Sequence, residues 1–315
     1  MNFYHLDDIP EHLKQYFRPA PQIGLEPTPE AFIAKMVEVY REVRRVLRSD
    51  GTCWMNLGDS YSNSRCGPQG ESGQMADRSV AAAKCRVKNE TRVAPGLKPK
   101  DLCGIPWRVA LALQADGWWL RQDIVWHKPN PMPESVTDRC TKSHEYIFLL
   151  TKSARYHYDA EAVKEPSTNR PSGNHEKTEV PTGGCPVKHG IPYEPDATRN
   201  KRSVWTIATQ PYPEAHFATF PEAIPETCIL AGTSPKVCGV CATPWKRGGK
   251  ALEPSCDHYD DTGKCLVLDP FLGSGTTLAV AARLGCKGVG CELNPEYVKL
   301  AVERIEAEAA QLKMF

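Results

Sequence analysis

The chain has 315 residues, and its 39 Lys and Arg against 38 Asp and Glu give a formal net charge of +1. This balance excludes a polycationic nucleic-acid coat but not a local basic groove. No apolar run of about 18 residues occurs, so a membrane span is excluded. The N-terminus lacks the pattern of a secretion signal, and the 13 cysteines are an odd, scattered set. We therefore expect a cytoplasmic protein with reduced thiols.

Helix and strand patterns alternate along the first half of the chain. Residues 28–48 predict a helix, because Thr28 can cap it and apolar residues recur at every third or fourth position. The next predicted elements are a strand at 52–57, a helix at 106–115, and strands at 118–126 and 145–151. This alternation predicts an α/β sheet with mostly parallel strands.

Residues 165–200 interrupt this alternation, since ten of these 36 residues are proline or glycine. Such a composition does not suit a core element and predicts a large inserted loop or a small recognition lobe. The stretch ends in a basic cluster of Arg199, Lys201 and Arg202. These three residues are candidate contacts to phosphate groups, with a solvated loop as the alternative.

The C-terminal part predicts a strand, a glycine-rich turn, a helix, a second strand and then an acid. The turn at 269–277 has the sequence DPFLGSGTT, and the second strand, at 288–291, ends at Glu292. Gly273 and Gly275 would let a ligand approach the backbone closely beneath a helix N-terminus. An acid at the tip of the next strand can accept hydrogen bonds from both ribose hydroxyl groups. The unit therefore predicts an adenosine-containing ligand.

The kind of adenosine ligand follows from the residues around this turn. A dinucleotide fingerprint requires a third glycine where Leu278 stands, and a P-loop requires a lysine that the turn lacks. S-adenosylmethionine has no phosphate and carries a cationic sulfonium, which the acid at Asp269 suits better. A nicotinamide oxidoreductase is the alternative that Leu278 disfavours.

Several segments resemble those of the DNA amino-methyltransferases, which modify exocyclic amines of adenine or cytosine. The turn at 269–277 resembles their cofactor motif, and HFATFPE at 216–222 resembles the helix that covers the methionine end of the cofactor. QIGLEPTP at 22–29, NLGDSY at 56–61 and WHKPN at 126–130 are similar to segments of phage and restriction–modification members. The half that handles the base comes first and the cofactor half last, as in the permuted β-group.

This resemblance implies a Rossmann-like S-adenosylmethionine-dependent methyltransferase sheet that acts on specific sequences in double-stranded DNA, and it allows a homodimer. It divides the chain into a target-base half (1–154), a target-recognition region (155–205) and a cofactor half (206–315). The residues expected to bind the cofactor are Asp269, Phe271, Gly273, Ser274, Gly275, Thr276, Glu292, His216 and Phe220. The residues expected to contact DNA are Lys128, Arg139, Arg199, Lys201 and Arg202.

The sequence departs from this family in one respect. Family members carry a Ser/Asp/Asn-Pro-Pro-aromatic tetrapeptide that accepts hydrogen bonds from the target amine and stacks on the base, and these 315 residues contain none. Either the N-terminus is shortened or replaced, or the protein is an impaired relative that binds cofactor or DNA, with or without a partner. The candidate substitutes at other strand ends are Asp59, Tyr61, Trp126 and Asn130, with core packing as the alternative role of Trp126.

A separate metal signal lies within residues 236–262. Cys238 and Cys241 form one close pair, and Cys256 and His258 form a second pair after 14 intervening residues. Two such pairs are what a tetrahedral zinc site requires. Cys265 is the rival fourth ligand, and free loop cysteines are the alternative. The spacing predicts a structural zinc that folds an insertion before the cofactor strand.

Overall fold

The computed structural model describes residues 22–62, 96–167, 198–210, 220–249 and 251–311. The elements in chain order are α1 (Pro29–Val46), β1 (Thr52–Leu57), α2 (Ile105–Ala115), β2 (Trp119–His127), β3 (His144–Thr151), β4 (Glu165–Pro166), β5 (Thr198–Arg199), β6 (Val204–Thr206), α3 (Ala223–Gly232), β7 (Lys246–Gly248), β8 (Ala251–Glu253), β9 (Leu266–Asp269), α4 (Thr276–Arg283), β10 (Lys287–Gly290) and α5 (Pro295–Gln311). The helices and strands predicted from local patterns are present, with ends shifted by one or two residues. The segment at 216–222, which resembles a helix of the family, is described only from residue 220, and α3 begins directly after it at Ala223.

A four-stranded sheet with the order β1-β3-β2-β6 forms the first half of the molecule. β3 pairs antiparallel with both β1 and β2, and only β6 runs parallel to its neighbour β2. Three of its four strands therefore run in one direction, as expected, and the reversed strand β3 makes two of the three pairings antiparallel. Residues 128–143, which connect β2 to β3, contain no helix, so the chain turns back and pairs antiparallel instead of crossing over.

The central strand β3 is buried on both faces, which explains its continuous apolar sequence YIFLL. Phe148 and Leu150 point to a core shared with α1 and α2. Ile147 points to the opposite core, which Trp205 and the apolar helix α3 complete. The sheet is thus the middle layer of a helix–sheet–helix sandwich.

The glycine-rich unit folds as a parallel β–α–β crossover. β9 and β10 pair in parallel, with Val289 opposite Leu268, and α4 connects them. α4 buries its alanine-rich face, because Ala279 packs with Ala301 and Ile305 of α5. This connection is the kind that a parallel pair requires.

Helix α3 joins the two groups of strands. Near its N-terminus, Ile224 packs against the four-stranded sheet, and at its C-terminus Gly232 lies so close to Thr52 of β1 that a Cβ would come within 2.3 Å of the Thr52 Oγ1. Ile229 of the same helix packs against α4 and Val267 of β9. One helix therefore sets the position of the glycine-rich β–α–β unit relative to the sheet.

The ends of the proline- and glycine-rich stretch meet. Glu165 and Pro166 of β4 pair antiparallel with Arg199 and Thr198 of β5. Residues 168–197 lie outside the described part of the chain. Within the described ranges, no helix has the length and apolar composition needed to cross a membrane.

Shortening a side chain in the centre of the sheet should destabilise the protein strongly. Phe148 is fully buried, so Phe148→Ala should lower the free energy of unfolding by about 3–5 kcal/mol through lost burial and a residual cavity. Leu111→Ala, at an exposed position of α2, is the control and should change it by at most about 0.5 kcal/mol. Urea denaturation measures both, and equal effects would contradict the assignment of this core.

Candidate active site

The turn after β9 has a backbone conformation that favours glycine at two positions. Gly273 and Gly275 have φ values of +53° and +82°. A Cβ on Gly275 would lie 2.8 Å from the Cβ of Ala301 in α5, so this position is closed to larger residues. Nothing lies within 4 Å of the corresponding point on Gly273. The turn is therefore rigid on its inner side and open to a ligand at Gly273.

Two acids stand at the tips of the parallel strands beside this turn. Glu292 accepts hydrogen bonds from the Gly273 N–H through Oε2 and from the Asn294 N–H through Oε1, both at 2.8 Å. Asp269 accepts from the Phe271 N–H at 2.9 Å. Burial raises the pKa of Asp269 and the charge of Glu292 adds to the rise, although hydrogen bonds from Thr277 and Phe271 oppose it. A cation placed here would favour the ionised form of Asp269.

The other expected cofactor residues occupy different environments. Ser274 and Thr276 are buried at the start of α4, whereas Phe271 is 43% exposed beside the open side of the turn. Phe220 packs against the core beneath α3, which places the segment before α3 against the sheet. His216 lies outside the described residues. These roles stay predictions.

A network of ion pairs fastens the start of α3 to the glycine turn. Glu222 accepts from Arg283 of α4 at 2.8 Å and from Arg304 of α5 at 2.6 Å. Arg304 also donates to the Thr276 Oγ1 at 2.9 Å. Burial alone would raise the pKa of Glu222, but the two arginines outweigh it and lower the pKa below its usual value. The network ties Glu222, the residue before α3, to Arg283 of α4 and, through Arg304, to the Thr276 side chain at the start of α4.

A second group of polar side chains gathers at one edge of the four-stranded sheet. β1 and β2 are both antiparallel to β3, so their C-terminal ends lie at the same edge. Lys142 donates to the Asp59 carbonyl oxygen at 2.8 Å across this edge. The Asp59 Oδ1 accepts from the backbone N–H groups of Ser60 and Ile105, so this carboxylate caps α2. One carboxylate oxygen of Asp59 therefore has a structural role.

Residues 128–143 are held against the same edge. The Arg139 guanidinium lies over the Tyr61 ring at 4.0 Å and pairs with Glu134 at 2.5 Å. The Asn130 Oδ1 accepts from the Thr209 N–H at 2.9 Å. Tyr61 and Asn130 thus follow the C-terminal ends of β1 and β2, at the edge where a base-handling role is expected.

Trp126 does not have the position that base stacking requires. It is 2% exposed, packs in the core with Trp205, and donates its indole N–H to the Ile207 carbonyl oxygen at 2.8 Å. Lys128, a predicted DNA contact, lies over this ring at 4.3 Å and pairs with Glu145. Core packing replaces the candidate catalytic role of Trp126, because its ring has no free face.

The basic cluster after β5 is already engaged with the protein. Arg199 and Arg202 both pair with Glu165, at 2.8 and 2.5 Å, and Lys201 lies 5.2 Å from the Trp205 ring centre. Burial would raise the pKa of Glu165, but both arginines outweigh it and lower this pKa below its usual value. The cluster keeps a positive excess, because a single carboxylate serves two arginines.

The predicted metal ligands come together. The sulfur atoms of Cys238, Cys241 and Cys256 and a ring nitrogen of His258 lie within 4.8 Å of one another. The Cys241 N–H points to the Cys238 sulfur at 3.5 Å, and Cys238 is fully buried. The rival ligand Cys265 instead contacts the backbone of Ser234. The geometry favours the Cys3His set over Cys265.

The fold and the glycine turn define a methyltransferase of the α/β class. The chain belongs to the DNA methylase family N6_N4_Mtase, whose sequence pattern matches residues 15–303. It is thus a DNA methyltransferase of the kind that modifies exocyclic amines, as the resemblance predicted.

Relatives of known type are similar along most of their length. Type II methyltransferase M.Cfr9I of Citrobacter freundii is 42% identical over 91% of this chain and 75% of its own length. M.SmaI of Serratia marcescens is 42% identical over 90% of this chain and 77% of its own length. These similarities agree with a restriction–modification type of enzyme.

Solved structures share the fold at low sequence identity. The cytosine-N4-specific PvuII DNA methyltransferase has a TM-score of 0.53 and 17% identity, covering 91% of this chain and 74% of its own. TTHA0409 of Thermus thermophilus, solved with S-adenosylmethionine, has a TM-score of 0.50 and 20% identity, covering 93% and 84%. The mixed α/β sheet seen here is thus that of DNA methyltransferases.

Sequence reasoning missed the long-range contacts of the site. Glu222 forms an ion pair with Arg304 across 82 positions of sequence, and Lys142 donates to the Asp59 carbonyl oxygen across 83. No local pattern marks such pairs, because charged residues at helix ends are ordinary surface features. The glutamate within HFATFPE at 216–222 was the only available signal.

The ion-pair network around Glu222 should give stability a specific pH dependence. Because the folded-state pKa of Glu222 is lowered, its contribution is present above the usual glutamate pKa of about 4.3 and is lost as pH falls through the folded value. Glu222→Gln should therefore destabilise the protein by about 1 kcal/mol at neutral pH, and the difference should shrink in acid.

Thermal unfolding of the wild type and of Glu222→Gln, measured from neutral pH down through the glutamate pKa, tests this prediction. Glu306→Gln, which removes the same charge from an exposed position of α5, is the control and lies outside the network. A difference between wild type and Glu222→Gln that stays constant from neutral to acidic pH would contradict the network's electrostatic role.

Proposed function

We propose that this protein transfers a methyl group from S-adenosylmethionine, bound over Gly273 and Gly275, to an exocyclic amine in specific sequences of duplex DNA. The observation that supports this most directly is the β9–α4–β10 unit with Glu292 placed 2.8 Å from the Gly273 N–H. Each carboxylate oxygen of Glu292 retains a lone pair for a ribose hydroxyl. The structure of TTHA0409 solved with S-adenosylmethionine supports the same cofactor.

The protein's part in this reaction is to bind and orient. S-adenosylmethionine supplies an electrophilic methyl group on a sulfonium. Burial raises the pKa of Asp269. A cationic ligand beside this carboxyl group would stabilise its ionised form. The Glu222 network would hold the segment before α3 against the glycine turn. Two walls of one cofactor site would thus be fixed relative to each other.

The target amine is a weak nucleophile, because its lone pair is delocalised into the base. Groups that accept hydrogen bonds from its two N–H bonds would favour a pyramidal nitrogen and aim it at the methyl group. The base must first leave the helix stack. Tyr61 and Asn130 are the remaining candidates at the sheet edge, together with the Asp59 Oδ2.

A second function is favoured by one feature of the sequence, the lack of a Pro-Pro-aromatic tetrapeptide. Asp59 and Asn130 each use a side-chain oxygen to accept a backbone N–H, so neither is an equivalent free acceptor. The 315-residue chain by itself would then bind cofactor and DNA but transfer methyl groups slowly. An acceptor and a stacking aromatic supplied by a partner would complete the site.

We place the DNA-contacting surface on residues 155–205 and on the loop after β2, within a target-base half at 1–154 and a cofactor half at 206–315. The basic cluster is next to the β4–β5 pair, at the base of the recognition region. Arg199, Lys201 and Arg202 would contact phosphates, as would Lys128 and Arg139 of the loop. A phosphate competes with Glu165 for the two arginines, since both are anionic oxygen acceptors.

The Cys3His cluster would hold one structural zinc. Three cysteines and one histidine are the donor set of closed, four-coordinate structural zinc sites. With four protein ligands, no coordination position of the metal would be left for a substrate. Its place between α3 and β9 makes it a fold-stabilising insertion rather than part of the methyl-transfer site.

The cofactor assignment predicts a loss of affinity in Glu292→Ala. Two ribose hydroxyls would lose their acceptor, so S-adenosylmethionine binding should weaken by about 1–3 kcal/mol, or about 5- to 150-fold. Isothermal titration calorimetry measures this. The control is Glu296→Ala, four residues on in the first turn of α5. If Glu292→Ala binds the cofactor as wild type does, the ribose contact is refuted.

The phosphate-contact assignment predicts a change in salt dependence. Replacing Arg199, Lys201 and Arg202 by Gln should weaken binding to any duplex and reduce the slope of log affinity against log salt by about two to three units. The control replaces Lys35, Arg41 and Arg45 of α1 by Gln, which removes the same charge from another surface. Equal slope changes in the two triple variants would rule out a local contact.

The metal assignment predicts about one zinc per chain in protein purified without added metal. Cys256→Ser should lower the zinc content below about a fifth of an equivalent, because three ligands bind far more weakly than four. Cys140→Ser, at an exposed cysteine outside the cluster, should retain zinc. Metal analysis by mass spectrometry decides, and a fully folded, zinc-free wild type would refute the site.

A further inference from the structure

The hairpin β7–β8 connects the two pairs of metal ligands. β7 begins five residues after Cys241, and β8 ends three residues before Cys256. A lone two-stranded hairpin is marginally stable in water, and a metal that joins its two ends would hold it closed. The geometry of this hairpin therefore depends on the ligand cluster at its base.

One side chain of the hairpin reaches a different part of the molecule. The Arg247 Nε donates to both carboxylate oxygens of Asp159 at 2.8 Å. The Asp159 side chain is only 3% exposed, so Arg247 offsets the cost of burying its charge. Removing one partner of such a pair is strongly destabilising, because the other charge stays buried and uncompensated.

Asp159 lies in a segment that has several anchors. Its N–H donates to the Ala231 carbonyl oxygen at 2.8 Å, and its Oδ1 accepts from the Ala162 N–H at 3.1 Å. Nearby, the His157 ring contacts the Thr233 carbonyl oxygen at 3.0 Å. The segment is thus fixed between the C-terminal end of α3 and the hairpin.

This segment leads directly into the base of the recognition region. Six residues after Asp159, Glu165 pairs with Arg199 and Arg202 and starts the β4–β5 pair. A cavity of about 290 Å³ lies between the two parts of the chain. Tyr156 and Tyr158, just before Asp159, line it together with Lys201 of the basic cluster. The Arg247–Asp159 pair and the basic cluster therefore share one continuous support.

We propose that the metal module is a strut for DNA binding: the closed hairpin holds Arg247 on Asp159, and this pair fixes the segment that positions Arg199, Lys201 and Arg202. DNA affinity then depends on the strut, whereas cofactor affinity does not, because the Glu222 network and α3 hold the cofactor unit separately. The inference rests on the proposed zinc site and DNA surface, and it adds a coupling between them.

The variant Arg247→Met in the full chain tests the strut without touching a metal ligand. Its affinity for a mixed-sequence DNA duplex, measured by fluorescence anisotropy at fixed salt, should fall about tenfold, while its cofactor affinity should stay within about twofold of wild type. Lys246→Met changes the neighbouring exposed residue by the same charge and is the matched control. Arg247→Lys, which keeps the charge but not the two-oxygen contact, should lose less affinity than Arg247→Met.

Removing the metal gives the second arm of the test. Chelation of wild-type protein should lower DNA affinity, and the same treatment should have a smaller effect in Arg247→Met, because both act through one contact. Equal DNA affinities of Arg247→Met and Lys246→Met in zinc-loaded protein would overturn the strut. A wild type without zinc, or without DNA affinity, would instead refute the metal site or the DNA surface, and the strut with it.

Discussion

The packing of α3 on both groups of strands is the constraint on which the rest of the molecule depends. This short helix is apolar on most sides and buries Ile224, Cys228 and Ile229. Gly232 permits its close approach to β1, and Ile229 reaches α4 and β9. The distance between the proposed base-handling edge and the proposed cofactor turn is therefore set by a single buried element. Methyl transfer requires that distance to be fixed, because reactivity depends on in-line approach.

Charged groups around α3 also contribute to this arrangement. Burial, followed by the charge of Asp269, raises the pKa of the Cys53 thiol in β1 to about 12. The Glu222 network and the Arg247–Asp159 pair lie on opposite ends of α3. One secures the cofactor turn, and the other reaches the segment before the recognition region. α3 thus links both halves of the proposed function.

Local patterns in the sequence predicted the elements and the cofactor turn. The apolar periodicity predicted α1, and the order of strand, glycines and acid predicted the β9–α4–β10 unit, because these signals lie within about 25 residues. The Cys3His cluster was predictable for the same reason. The reversed direction of β3 was not, since it depends on residues 128–143 lacking a helix. The partners of Glu222, Asp159 and Glu165 could not be predicted either, because each pair joins distant parts of the chain.

The acceptor for the target amine is the open element of the mechanism. The family assigns the chain to enzymes that methylate DNA, yet its sequence holds no Pro-Pro-aromatic tetrapeptide. The described strand ends offer Tyr61, Asn130 and one oxygen of Asp59 in its place. The proposed cofactor and DNA surfaces do not require this acceptor, because they are built from other elements. Binding and transfer should therefore be separable in this protein.

Transfer of radiolabelled methyl groups from S-adenosylmethionine to duplex DNA, followed by nucleoside analysis, is the most direct test of this account. It compares the 315-residue chain with the same chain extended upstream by a strand ending in Ser-Pro-Pro-Tyr. The account predicts label on an exocyclic amine of adenine or cytosine and a rate that the extension raises by orders of magnitude, because positioned acceptors act mainly in the transition state. Label on a ring carbon, or no transfer by either protein, would contradict the assigned chemistry. Full-rate transfer by the unextended chain would show instead that residues such as Tyr61 or Asn130 supply the acceptor.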